Sequence, residues 1–163
     1  MDIQIRSYDK NDIKEAIYIW NEIVKDGNAF PQIDLLTERS GDQFFSKQSF
    51  TGIAYDRDTE RIIGLYILHP NNIGRCGHIG NASYAVKKGI RSHGIGEKLV
   101  THSMSKAKEL GFKILQFNAV VKTNKAALYL YEKLGFMRLG VIPNGFLMKD
   151  GTYEDIIPHY CLL

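Results

Sequence analysis

Residues 87–96 read Lys-Lys-Gly-Ile-Arg-Ser-His-Gly-Ile-Gly. Glycines let a main chain come close to a bound group, and the first N–H groups of a helix have no partner inside it. A run like this can therefore cradle an anion if a helix follows. Lys87, Lys88, Arg91 and Lys98 add positive charge around it. Two other phosphate loops fail on residue identity. A dinucleotide loop needs Gly or Ala three residues after Gly96, where Leu99 stands, and a P-loop needs Lys and then Ser or Thr where Ile95 and Gly96 follow Gly94. Farther along, Asn124, Ala127, Tyr131, Gly135 and Phe136 form a second constellation. There Tyr131 brings a phenol, a proton donor with an ordinary pKa of about 10. From the residues alone, the glycine run also fits a helix-capping turn in a basic patch, and Tyr131 also fits a core aromatic.

The composition bounds what these groups can belong to. The chain has 163 residues, 44% hydrophobic and 24% charged, so it reads as a single domain over 1–163 that can bury a core without metal or disulfide. Its net charge of +3 hides an asymmetry: residues 87–138 carry +8, while 1–86 and 139–163 carry −3 and −2. A central basic segment points to an anionic partner, phosphate being the commonest. Cys76 and Cys161 have no zinc-site or disulfide pattern, so no metal is expected and both thiols read as reduced packing groups. No run is long and apolar enough for a membrane helix, and Met1–Tyr8 lacks a secretory apolar stretch. The expectation is a cytoplasmic protein without a membrane partner. The scattered lysines lack interleaved aromatics and a reader motif, so nucleic acid is not expected either.

The elements that must position these groups follow from periodicity. Ile3–Ser7 alternates as a strand, and Ile13, Ala16, Ile17, Trp20, Ile23 and Val24 recur at helical spacing behind Asn11 or Asp12 as cap. A weaker helical pattern covers about 34–45, a hairpin 50–55 and 61–68, and a further strand 78–86. The glycine run then opens a long helix from Ile95 that Gly111 ends. Ile114–Val121 reads as a strand, Ala127, Leu130, Tyr131 and Leu134 as the stripe of a short helix, and 136–142 and 153–163 as two more strands. Hairpins mixed with a strand-helix-strand crossover imply an α/β (α+β) class with a mixed sheet.

Arg-x-x-Gly-x-Gly at 91–96, paired with Asn-x-x-Ala-x-x-x-Tyr-x-x-x-Gly-Phe at 124–136, resembles the GNAT superfamily of acetyl-CoA-dependent N-acetyltransferases. In layout the chain is most similar to the phosphinothricin-type acetyltransferases. The resemblance implies a mostly antiparallel sheet with one parallel, split strand pair and about four helices. It also implies acetyl-CoA as co-substrate, with its pantetheine arm in the split beside the main chain of Tyr84 and Val86. The amides of Arg91, Ser92, His93, Gly94, Ile95 and Gly96 would take the pyrophosphate. Asn124 would hydrogen-bond the arm, Ala127 would leave it room, and Tyr131 would protonate the departing thiolate.

One position departs from the pattern. Where phosphinothricin-type enzymes carry a glutamate on the strand before the glycine loop, this chain has Asn81. Asparagine orients a water or a substrate but takes no proton. Glu22, Asp34, His78 and Asp155 are the candidate stand-ins for a base. Residues 27–33, with Phe30 and Pro31, read as a lid by analogy or as an ordinary turn-rich connection. Cys76 with His78, and His159 with Cys161, read as structural. The expectation is therefore an enzyme that acetylates a small-molecule amine, with a homodimer among the assemblies allowed. The alternative is a domain that binds acetyl-CoA as a sensor or structural ligand without efficient transfer.

Overall fold

The computed structural model describes residues 1–90 and 93–163. Strand β1 (Ile3–Ser7) leads through a short 3-10 turn into helix α1 (Ile13–Asp26). Asp9 supplies the cap, its side chain accepting from the Asn11 N–H, while Asp12 is clasped by Arg6 through two hydrogen bonds of 2.7 and 2.8 Å. Helix α2 (Glu38–Ser46) starts later than the periodicity suggested because Thr37 and Ser40 form a reciprocal cap there. Strands β2 (Phe50–Asp56) and β3 (Arg61–Pro70) form the expected hairpin, and β4 (Ile79–Val86) pairs antiparallel with β3. Helix α3 (Ile95–Glu109), strand β5 (Ile114–Phe117) and helix α4 (Lys125–Lys133) follow.

The last quarter of the chain is divided more finely than its alternation suggested. It forms β6 (Met137–Arg138), β7 (Ile142–Leu147), β8 (Tyr153–Ile156) and β9 (His159–Leu162). Gly140, at φ +135°, turns the chain out of the main sheet after β6. Pro158, which has no N–H to give a ladder, separates β8 from β9. Seven strands make one sheet in the order β1-β2-β3-β4-β5-β9-β6, and β7 and β8 pair by themselves. The main sheet is antiparallel except for β4 and β5, which run parallel. This is the mixed, mostly antiparallel α/β arrangement expected.

Both faces of the sheet are covered. Trp20, Ile23 and Val24 of α1 and Phe45 of α2 pack on Ile53, Leu65 and Ile67, while Leu99, Val100 and Ala107 of α3 pack on Tyr66, Leu68 and Leu115. Neighbouring residues of β3 thus feed opposite cores, and the whole run from Ile62 to Leu68 can be buried. Among the described residues no helix is long and apolar enough to cross a membrane.

Two cross-strand neighbours fix the floor under the functional region. Gly52 of β2 stands opposite Tyr66 of β3, and a Cβ on Gly52 would fall 2.2 Å from the Tyr66 ring. That ring is fully buried, shares a 2.8 Å hydrogen bond between its hydroxyl and His102 Nδ1, and lies 6.0 Å from the ring of Tyr84. Gly52→Ala is expected to lower stability by about 1–3 kcal/mol, as overpacking does. A fall in the urea unfolding midpoint at unchanged slope would register it.

Candidate functional site

Strands β4 and β5 pair over three positions only: Ile79 with Ile114, Gly80 with Leu115 and Asn81 with Gln116. Beyond them the strands part, and β5 continues beside β9. The direction of the stranded main chain follows from its neighbours. His78 accepts from Lys113 on the β5 side, whereas Ile79 accepts from Asn71 and Lys87 donates to Ile63 on the β3 side. Main-chain groups alternate along a strand, so Tyr84 and Val86 aim theirs into the split. Peptide groups left there need a partner that the fold does not supply.

A cavity of about 310 Å³ occupies the split. Asn81, Ala82, Ser83 and Tyr84 of β4 form one wall, and residues 117–121 and α4 form another. Gly96 and Val100 of α3 close one end, and Phe30 and Pro31 another. Gly94 caps α3 in the left-handed region at φ +72°, which leaves the N–H groups of the first turn without helical acceptors. Gly96 lines the cavity in this first turn, where it puts bare main chain against the space. His93 is exposed just ahead of this turn, and the side chain of Ile95 is buried beneath it, leaving only main chain to face a ligand. Arg91 and Ser92 lie outside the described residues.

Asn124 has a structural duty that sequence reasoning did not assign. Its Oδ1 accepts from the Ala127 N–H at 3.2 Å and caps α4, leaving the amide NH2 for a ligand. Ala127 lines the cavity one turn before Tyr131. The Tyr131 ring packs against Phe117, Phe136 and His159, with its centroid 4.5, 5.6 and 5.8 Å from theirs. Burial pushes the Tyr131 phenol well above its ordinary pKa, so it stays protonated. Tyr84 is also raised by burial, and its hydroxyl is spent: it donates to Ser103 Oγ at 2.7 Å, which in turn donates to the Val100 carbonyl. Of the two phenols, Tyr131 is the one free to act.

Asn81 sits at the fork itself. Its Nδ2 donates to the Gln116 carbonyl at 2.9 Å, so the side chain clasps the strands at their last paired position. The polar line continues from the Gln116 side chain to Asn118 at 3.0 Å and from Asn118 to Asn71 at 2.6 Å. Sequence reasoning missed Asn71, Gln116 and Asn118, because isolated amides far apart in sequence carry no motif.

The candidate bases do not converge on the cavity. Glu22 pairs with Lys25 and Lys88, Asp34 and His78 are exposed, and Asp155 accepts from the Asn144 N–H at 3.1 Å and lies 3.5 Å from Lys122. Nor is the whole basic cluster aimed at the cradle. Lys88 binds Asp26 at 2.7 Å, and Lys98 reaches the Ile3 carbonyl at 3.4 Å. His159 is buried, its Nδ1 donating to the Ile157 carbonyl at 2.6 Å, and burial holds it below its ordinary pKa. Phe30, anchored at 4.3 Å on the Trp20 ring, places the 27–33 segment over the cavity.

Comparison with known proteins agrees with this geometry. The family model described as acetyltransferase (GNAT) family matches residues 16–136. N-acetyltransferase aca1 of Schizosaccharomyces pombe is 32% identical over 160 residues, covering 88% of this chain and 77% of that protein. A GCN5-related N-acetyltransferase from Kribbella flavida superposes with a TM-score of 0.90 at 28% identity, over 99% of this chain and 98% of that one. A phosphinothricin acetyltransferase from Sinorhizobium meliloti, solved with acetyl-CoA, has the same fold at TM-score 0.91 and 20% identity, over 100% of this chain and 89% of its own.

The clasp can be tested by charge. Asn81→Ala loses one hydrogen bond, worth about 1 kcal/mol, whereas Asn81→Asp also sets a carboxylate against a carbonyl oxygen. That carboxyl would be held above its ordinary pKa of about 3.9 in the folded state. Its deficit relative to Asn81→Ala is therefore expected to vanish below about pH 4 and to grow as pH rises through the folded-state pKa. Thermal melts of the two variants from pH 3 to pH 8 would show the divergence.

Proposed function

The chain belongs to the acetyltransferase (GNAT) family, and from that membership we propose that it moves an acetyl group from acetyl-CoA to the primary amine of a small molecule by direct attack on the thioester. Acetyl-CoA is the co-substrate, as it is for the family. The observation that carries the reading is the split itself: β4 and β5 stop pairing after Asn81, and Tyr84 and Tyr131 line the cavity between them, which reaches Gly96 in the first turn of α3.

Each residue has a derivable part. The first-turn amides from Gly94 to Gly96 and the positive end of the α3 dipole suit a pyrophosphate. The free main chain of Tyr84 and Val86 suits an extended amide-bearing arm, which would complete the sheet as a short strand, with the Asn124 NH2 as a further donor. Bound there, the thioester supplies an activated acyl carbon. A strand N–H in the split can meet the oxyanion that forms on attack. The Tyr131 hydroxyl then donates to the departing sulfur. Because burial holds this phenol well above a thiol's ordinary pKa of about 8.5, its help is chiefly a hydrogen bond that strengthens as charge develops.

Thiol release from acetyl-CoA across a panel of small amines tests the reading directly. Acceleration by at least one amine supports it, and binding without acceleration by any amine would mark a sensor instead. Tyr131→Phe is expected to slow turnover about 10- to 100-fold with little change in acetyl-CoA affinity. Gly94→Glu is expected to weaken acetyl-CoA binding at least about tenfold in calorimetry. Gly94→Ala serves as its control, because it imposes the same left-handed backbone strain, about 1–2 kcal/mol, without the charge.

A further inference from the structure

Attack on a thioester needs a nitrogen lone pair, and an ammonium ion has none. Among the described residues lining the cavity there is no Asp, Glu, His, Lys or Cys, and the titratable members are Tyr84 and Tyr131. Both phenols stay protonated in their buried places. The lining side chains Asn81 and Asn118 are amides, linked through Gln116 and onward to Asn71. Amides orient a proton's path without holding the proton.

The neighbouring space sharpens the point. A second cavity of about 740 Å³ shares Phe30 and Pro31 with the first and runs between residues 24–35 and 145–149. Its described lining includes Lys25 and Lys149 and no carboxylate. Glu22 and Asp26, the acidic groups on the last turns of α1, are paired with Lys25 and Lys88. An ammonium entering here would meet like charge and find no base.

We propose that this protein takes its acceptor from solution already neutral, and is therefore built for weakly basic primary amines, α-amino groups above all, rather than lysine-like alkylamines. The proposal rests on the acetyl-transfer reading and names the acceptor class within it. The neutral nitrogen forms the C–N bond, and the carbon–sulfur bond breaks. The nitrogen, strongly acidic once bonded to carbon, gives its proton to water, for which Asn81 Oδ1 is a free acceptor. The thiolate leaves against the hydrogen bond from the Tyr131 hydroxyl and takes its proton from solvent, so the products are an amide and a free thiol. The cost of neutrality explains the preference. At pH 7 roughly one α-amino group in ten is neutral, against fewer than about one lysine-like amine in a thousand.

The test is the pH dependence of kcat/KM, from about pH 6 to about pH 11, for a series of α-amino acid amides and a size-matched series of alkylamines. The expected acid limb of each profile falls at the amine's own pKa, so the two series are displaced by about two pH units, with the α-amines favoured about 100-fold at pH 7. A single acid limb at one pH for both series would reveal an enzyme-borne base and overturn the proposal while leaving acetyl transfer standing. No acceleration of thiol release by any amine, with acetyl-CoA bound, would remove the acetyl-transfer reading and this proposal with it.

Discussion

The parallel pairing of β4 and β5 stops after three residue pairs, and the organisation of the site depends on that interruption. A sheet that closed fully here would satisfy its own peptide groups and leave nothing to bind. By parting, the strands expose main-chain donors and acceptors inside the fold, where an unpaired group costs roughly 1–3 kcal/mol. The split persists because both strands are fully engaged on their other sides, β4 with β3 and β5 with β9, and because Asn81 ties the fork at its vertex. Under the proposed reading, an extended, amide-bearing arm would supply what the sheet withholds.

The charge distribution takes on a different meaning once the pairs are known. Part of the basic character of residues 87–138 is spent within the protein: Lys88 on Asp26 and Glu22, Lys106 on Glu109, Lys122 near Asp155 and Lys133 on Glu97. These are exposed pairs of small individual worth. Under the proposed reading, recognition of an anion at the start of α3 would lean on oriented main-chain N–H groups and the helix dipole more than on the lysines already paired. Main-chain donors are fixed by the helix and cost no side-chain entropy when they bind.

What could be read in the sequence was local. Gly94, Gly111 and Gly135 mark left-handed turns that end or begin helices, so their places were legible, and the helical spacing of Ala127 and Tyr131 was borne out in α4. The strand-helix-strand crossover and the mixed sheet followed from the same periodicities. Long-range pairings were not legible. Nothing near Asn81 announces Gln116 thirty-five residues away, and nothing near Lys88 announces Asp26 sixty-two residues away. Alternation at 136–142 and 153–163 signalled strands but not which sheet each would join, since a two-residue period marks a half-buried surface and says nothing of its partner. Pro158 was the available clue to the break between β8 and β9.

Phe30 forms a party wall. It lines the cavity in the strand split and the larger one beside β7, and its ring is held against Trp20 in the core between α1 and the sheet. A wall common to two rooms cannot yield space to one without taking it from the other. The two cavities meet across Phe30 and Pro31, so an occupant that displaces the ring changes the space left on the other side, and any coupling that results acts equally in both directions.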